Sequence, residues 1–271
     1  MQWDKVKNIL IVILLAVNLF MLGNLALKSY NDHHRAVELR RDVQTLLEAR
    51  GIALDDGFVL PDDLVLPQLS VDRSRTEEEQ VAFAMLGTDA ARSEDDEGNV
   101  RYESTRGMVT WSGDGTVQGS IRQDEGVPAD DREALRRARQ LFERWGLKPG
   151  DGTIEVVEHS IATLSGPVAG MAVHNRHLTL FFGEDGTVQL TGYWSFGVPY
   201  TLASETGVSC SAADALLAFV AEHPEVKNVY GMDLGYRLLT DSSRRLQLVP
   251  TWKIKTDSID FLVDCAKKTT I

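Results

Sequence analysis

Gly107-Met108-Val109-Thr110-Trp111-Ser112-Gly113-Asp114-Gly115-Thr116-Val117-Gln118 returns in altered form as His177-Leu178-Thr179-Leu180-Phe181-Phe182-Gly183-Glu184-Asp185-Gly186-Thr187-Val188-Gln189. In both copies an apolar strand runs into Asp-Gly, which tolerates the positive φ of a tight turn, and a second strand leaves through Thr-Val-Gln. The pattern predicts two β-hairpins, each followed by a helix. Ala129 to Trp145 places Leu135, Ala138, Leu141, Phe142 and Trp145 on one face and stops at Gly146. Ser211 to about Glu222 turns Ala212, Ala215, Leu216 and Phe219 inward, with Pro224 beyond its end. Strands then resume at Thr153 to Ala162 after the first helix, and at Val229 to Leu239, Leu246 to Lys255 and Ile259 to Cys265 after the second. Antiparallel strands with segregated helices predict an α+β ectodomain of two tandem similar units, 76–165 and 166–271. Each is expected to be an antiparallel sheet with a helix packed on one face.

Upstream, Asn8 to Leu27 contains no Asp, Glu, Lys, Arg or His. At 1.5 Å per residue, about 20 such residues cross a hydrocarbon core about 30 Å thick. Residues 8–28 are therefore expected to form a single transmembrane anchor after a cytoplasmic tail, 1–7. The apolar run is longer than a cleavable signal core, and Asn24-Leu25-Ala26 puts a polar residue where a signal exit wants a small one. Lys5 and Lys7 before the span set the N-terminus in the cytoplasm, Trp3 suits the membrane interface, and the C-terminal domain is expected to be extracellular. Asn18 lies near mid-span, where an interhelical amide hydrogen bond is worth about 1 kcal/mol, and Ala16 and Gly23 offer a close-packing seam on nearly the opposite side.

Residues 29–75 read as a juxtamembrane helix and an extended strap. Ala36, Val37, Leu39, Val43, Leu46 and Leu47 recur at helical spacing up to Gly51. Pro61 and Pro67 exclude a helix interior from Leu60 to Pro67. Thr76-Glu77-Glu78-Glu79 opens a short helix to about Leu86, and Ser93 to Asn99 is an acidic loop.

Composition bounds the function. The chain is 43% hydrophobic and 25% charged, which describes a folded ectodomain, and its net charge of −12 opposes nucleic-acid binding. Two cysteines, Cys210 and Cys265, permit one disulfide and make no metal framework. Ser29-Tyr30-Asn31 matches one element of penicillin-binding proteins, but the chain has no Ser-x-x-Lys and no Lys-Thr-Gly. His174 and His177, three apart at the start of a strand, point to opposite faces and do not converge on a metal. His33-His34 are juxtamembrane polar residues. Glu94-Asp95-Asp96-Glu97-Gly98-Asn99 lacks the alternation of a calcium loop, and Asp114 and Asp185 serve their turns. No catalytic residue, cofactor, metal or small-molecule substrate is expected, and the protein is not expected to be an enzyme.

Several stretches carry a family resemblance. Trp3-Asp4-Lys5-Val6-Lys7-Asn8-Ile9 runs straight into the span, and Asn18-Leu19-Phe20 sits within it. The Leu-Pro strap, Met85-Leu86-Gly87, the Gly107 to Gly115 strand and turn, and Pro250-Thr251-Trp252-Lys253-Ile254 follow in order. In these the chain resembles the YycI-type regulators, relatives of YycH, that accompany the WalK/WalR (YycG/YycF) two-component system of low-GC Gram-positive bacteria. It departs from them after Asp260, where only the strand and Ala266 are kept, and Cys265 is a local feature. The resemblance implies a non-enzymatic accessory protein of the cell membrane. Its partners would be a sensor histidine kinase of the WalK/YycG kind and a YycH-like protein, its effect the control of cell-wall metabolism genes, and its ectodomain two similar α+β units. The alternative is a membrane-anchored extracellular protease inhibitor or chaperone-like binding module presenting a sheet edge or hairpin.

Overall fold

The computed structural model describes residues 13–15, 17–22, 38, 41–55, 57–62, 64–147, 152–201, 211–241 and 245–271. Residues 13–15 and 17–22 are helical, and Ile13, Leu14, Leu15, Val17, Leu19, Phe20, Met21 and Leu22 are all exposed. Among the described residues no helix is long and apolar enough to cross a membrane. The rest is an α+β fold with two sheets.

Helix α1 over 41–49 ends at Gly51, whose φ of 74° suits a helix stop, and leads into β1 (Ala53–Leu54) and β2 (Leu69–Val71). One arrangement then occurs three times, a helix followed by a four-stranded meander. Helix α2 (Arg75–Leu86) precedes β3 (Ala91–Glu94), β4 (Val100–Ser104), β5 (Gly107–Trp111) and β6 (Thr116–Arg122). Helix α3 (Asp131–Arg144) precedes β7 (Thr153–Val157), β8 (Ile161–Ser165), β9 (His177–Phe182) and β10 (Thr187–Tyr193). After β11 (Pro199–Tyr200), helix α4 (Ala212–Glu222) precedes β12 (Asn228–Thr240), β13 (Leu246–Thr256), β14 (Phe261–Asp264) and β15 (Thr269–Thr270).

The first two meanders join at their fourth strands into one eight-stranded sheet, ordered β3-β4-β5-β6-β10-β9-β8-β7. At the seam Gly119 pairs with Leu190, Thr116 with Tyr193 and Arg122 with Thr187. The repeated Thr-Val-Gln segments therefore run antiparallel about an approximate two-fold axis at Gly119 and Leu190. Helices α2 and α3 cover one face, where Val81, Met85, Phe142 and Trp145 pack on Tyr102, Trp111, Ile121, Leu164 and Leu180. Each such buried side chain contributes about 1.5–3 kcal/mol.

This pairing corrects the expectation of one sheet per sequence repeat. The second hairpin, β9 and β10, completes the first sheet. Two strands with matching apolar faces satisfy each other's open edges there and bury Val117, Ile121, Val188 and Leu190 in one core. Each helix accordingly belongs with the strands after it. Thr153 to Ala162 is also two strands rather than one, divided at Glu158 and His159, whose φ values are 53° and 44°.

In the seven-stranded sheet the long β12–β13 hairpin is central. Strand β1 lies parallel to β12, while β14 and β2 share the other side of β13, at its end and its start respectively. Val43 and Leu47 of α1 and Leu216, Phe219 and Val220 of α4 pack with Trp252, Ile254 and Val263. Leu66, Leu69 and Val71 of the strap pack on Tyr236, Leu238, Leu246 and Leu248.

Candidate functional site

Of the residues singled out in the span, Asn18 lies in the helical stretch and is exposed among apolar neighbours. Trp3, Lys5, Lys7, Ala16, Gly23, Ser29 to Asn31, His33-His34 and Cys210 lie outside the described residues. Cys265 is buried in the core beneath α4. Among the described residues no group of three His, Cys, Asp or Glu is placed to hold a metal ion. In the acidic loop Asp95 closes its own turn. Its Oδ1 accepts from the Glu97 and Asn99 N–H groups at 3.0 and 2.8 Å, and the Asn99 side chain and backbone hold its carboxyl below the usual range. Asp114 and Asp185 likewise accept from the Thr116 and Thr187 N–H groups at 2.8 and 3.0 Å.

Two histidines stand apart from one another. His177 is half-buried on β9 beside Ser165 and Tyr193, and burial pushes its pKa down. His174 precedes the strand and reaches the other sheet, its Nε2 3.2 Å from the Thr251 carbonyl.

A groove of about 440 Å³ gathers Arg106, Arg122 and Arg144 with Asp124 beside the last turns of α2 and α3. Its arginines have a structural explanation. Two helix C-termini carry partial negative charge there, and α2 has no basic residue in its own last turn.

The other face of the eight-stranded sheet carries the more suggestive surface. Side chains alternate along each strand, so the residues between those of the core point away from α2 and α3. Thr110, Gln118, Thr191, Thr179 and Thr163 form one row across five strands. Met108, Ser120, Gln189, Phe181 and Ile161 form the next. A groove of about 460 Å³ lies over the two-fold axis and is lined by Met108, Thr110, Gln118, Gln189 and Phe181. Arg101 is the one charged residue lining it, and Arg101 is paired with Glu103 at 2.9 Å. On a chain of net charge −12 this is a neutral, hydrogen-bonding surface with exposed Met108 and Phe181. This face was missed in the sequence; alternation along the strands was the signal that could have marked its residues, whereas the seam that brings Gln118 beside Thr191 had none.

No family model and no curated protein matches this chain. Among solved structures, an uncharacterized protein from Eubacterium rectale ATCC 33656 is similar at 10% identity. Its TM-score is 0.47, over 82% of this chain and 90% of that one. The Bacillus megaterium YpeB C-terminal domain is similar at 10% identity and a TM-score of 0.38, over 73% of this chain and 96% of that one.

Proposed function

We propose that this protein is a membrane-anchored accessory regulator of a sensor histidine kinase, acting through contacts of its N-terminal span and its ectodomain. One observation supports the reading above the rest: the described helical residues between 13 and 22 expose every large apolar side chain around the single amide of Asn18. Such a helix needs a hydrocarbon or protein cover, and an amide within it favours a partner helix. Downstream, α1 is built into the core of the C-terminal meander through Val43 and Leu47. The kinase itself, the YycH-like partner and the link to cell-wall metabolism rest on the resemblance, carried among others by Trp3 to Ile9, Asn18 to Phe20 and Pro250 to Ile254, and the extracellular placement rests on Lys5 and Lys7 before the span.

The mechanism is a population shift. A regulator that binds one kinase state better by about 1–3 kcal/mol shifts the equilibrium between the states about 5- to 150-fold, enough for a graded effect on activity. The test is a crosslinking pull-down of the full-length protein from its native membranes, beside a version carrying an unrelated transmembrane helix. Recovery of a histidine kinase with the native span alone supports the regulator, and Asn18→Leu should then weaken recovery while leaving insertion intact. Recovery of no kinase with either version removes the reading and brings the anchored extracellular inhibitor forward.

A further inference from the structure

Residues 166–176 leave the eight-stranded sheet at β8, return to it at β9, and between the two lie along β12 of the other sheet. Val173 bridges to Tyr236 in parallel. The Tyr236 N–H donates to the Ala172 carbonyl and the His174 N–H to the Tyr236 carbonyl, both at 2.8 Å. Asn175 continues the ladder with its side chain, its amide nitrogen donating to the Leu238 carbonyl and its Oδ1 accepting from the Leu238 N–H, each at 2.8 Å. Arg176 closes the base of the loop. Its guanidinium stacks 3.6 Å from the Trp194 ring and donates to the Gly166 and Pro167 carbonyls at 3.3 Å.

The His174 ring lies at the centre of this junction. With its hydrogen on Nε2 the neutral ring donates to the Thr251 carbonyl at 3.2 Å. It lies over Gly235, where a Cβ would come within 2.8 Å of Nε2 and 2.5 Å of the Ala172 carbonyl oxygen. Asp233 from β12 and Lys253 from β13 face the ring. Each is already engaged, Asp233 with Lys255 at 2.7 Å and Lys253 with Asp260 at 2.6 Å. On its own segment the neighbouring titratable groups are Arg176 and His177. Asp233 favours the imidazolium through its charge and its backbone, and burial of the ring outweighs it.

We propose that the β8–β9 connection is a proton-operated clasp between the two sheets: protonation of His174 weakens the hold of residues 172–175 on β12. Burial keeps the His174 pKa below its ordinary 6.5; the Thr251 carbonyl opposes that fall, Lys253 adds to it and Asp233 opposes it. A released segment takes up its proton near the ordinary value, and the clasped one only at lower pH. Between the two values the released form binds more protons, so the clasp is firm above about pH 6.5 and loosens as pH falls from there.

Hydrogen exchange of the full-length protein in detergent micelles, at pH 7.5 and 5.5 with intrinsic rates corrected, tests this. The His174, Tyr236 and Leu238 amides should exchange severalfold faster at pH 5.5 than at pH 7.5. The Leu180 and Leu190 amides of the β9–β10 pairing should not change. His174→Gln keeps an amide donor near the Nε2 position and takes up no proton, so it should abolish the difference. An equal acid response in clasp and reference amides, or a response retained in His174→Gln, overturns the proposal. The wild-type comparison stands by itself should the variant fail to fold.

Discussion

Gly107 and Gly192 occupy the same cross-strand position in the first two meanders, but on opposite strands of the pair. Gly107 faces Ile121 across β5 and β6, and Gly192 faces Leu178 across β10 and β9. Their φ values are 135° and 148°, and a Cβ would lie 2.0 Å from the Ser120 carbonyl oxygen or 2.1 Å from that of His177. No rotamer change relieves a clash with backbone. Gly107→Ala and Gly192→Ala should each destabilise by more than about 2 kcal/mol in urea unfolding, and a neutral result at either would show that the strand shifts to accept it. Glu78 presents the electrostatic counterpart. It is 2% exposed on α2 and accepts from Arg73, whose guanidinium also donates to the Gly98 and Trp111 carbonyls at 3.0 and 2.9 Å. Glu78→Ala strands that guanidinium and should cost about 3–5 kcal/mol, whereas Glu78→Gln keeps an acceptor and should cost less by the same assay.

At the scale of elements, helix starts are written locally. Asp130 caps α3 by accepting from the Glu133 N–H at 2.8 Å, and Glu133 reaches back to the Ala129 N–H at 2.8 Å. Asp130→Ala should lower stability by about 1 kcal/mol. The Ala129 N–H, then Arg137, hold the Glu133 carboxyl below its ordinary 4.5. This support is present above that value and is lost as pH falls through the lowered one, so the melting temperatures of Glu133→Gln and wild type should converge in acid. Such local signals made α3, α4 and the two Asp-Gly hairpins legible in sequence, because capping, helical spacing and turn chemistry involve neighbours. The β7–β8 turn was not legible, since Glu158-His159-Ser160 has no glycine, proline or asparagine to announce it. The clasp escaped for a different reason. Gly166 to Val173 has no periodicity of its own, and its partners are backbone groups of β12. The apolar run around Asn18 was readable from composition alone.

For the molecule as a whole, the unit that shares one core differs from the unit of repetition. Every buried residue of the core beneath α2 and α3 falls between Val81 and Phe196, so that half of the structure is continuous in sequence. A fragment spanning 73–196 retains Arg73 for Glu78, the Ser74 cap of α2 and the bond from the Ser74 N–H to the Phe196 carbonyl at 3.1 Å. It should unfold cooperatively in urea by far-ultraviolet circular dichroism and tryptophan fluorescence. A fragment spanning 76–165, the unit suggested by the repeat, lacks β9 and β10. It leaves β6 and β8 with open edges and removes Leu178, Leu180, Phe182, Val188, Leu190, Trp194 and Phe196 from the core. At about 1.5–3 kcal/mol for each side chain, that loss is roughly 10–20 kcal/mol, against a typical total stability of about 5–15 kcal/mol. The shorter fragment should therefore show no cooperative transition. A sharp transition in 76–165 would instead make the single meander the folding unit and reduce the two-fold seam to a docking contact between finished parts.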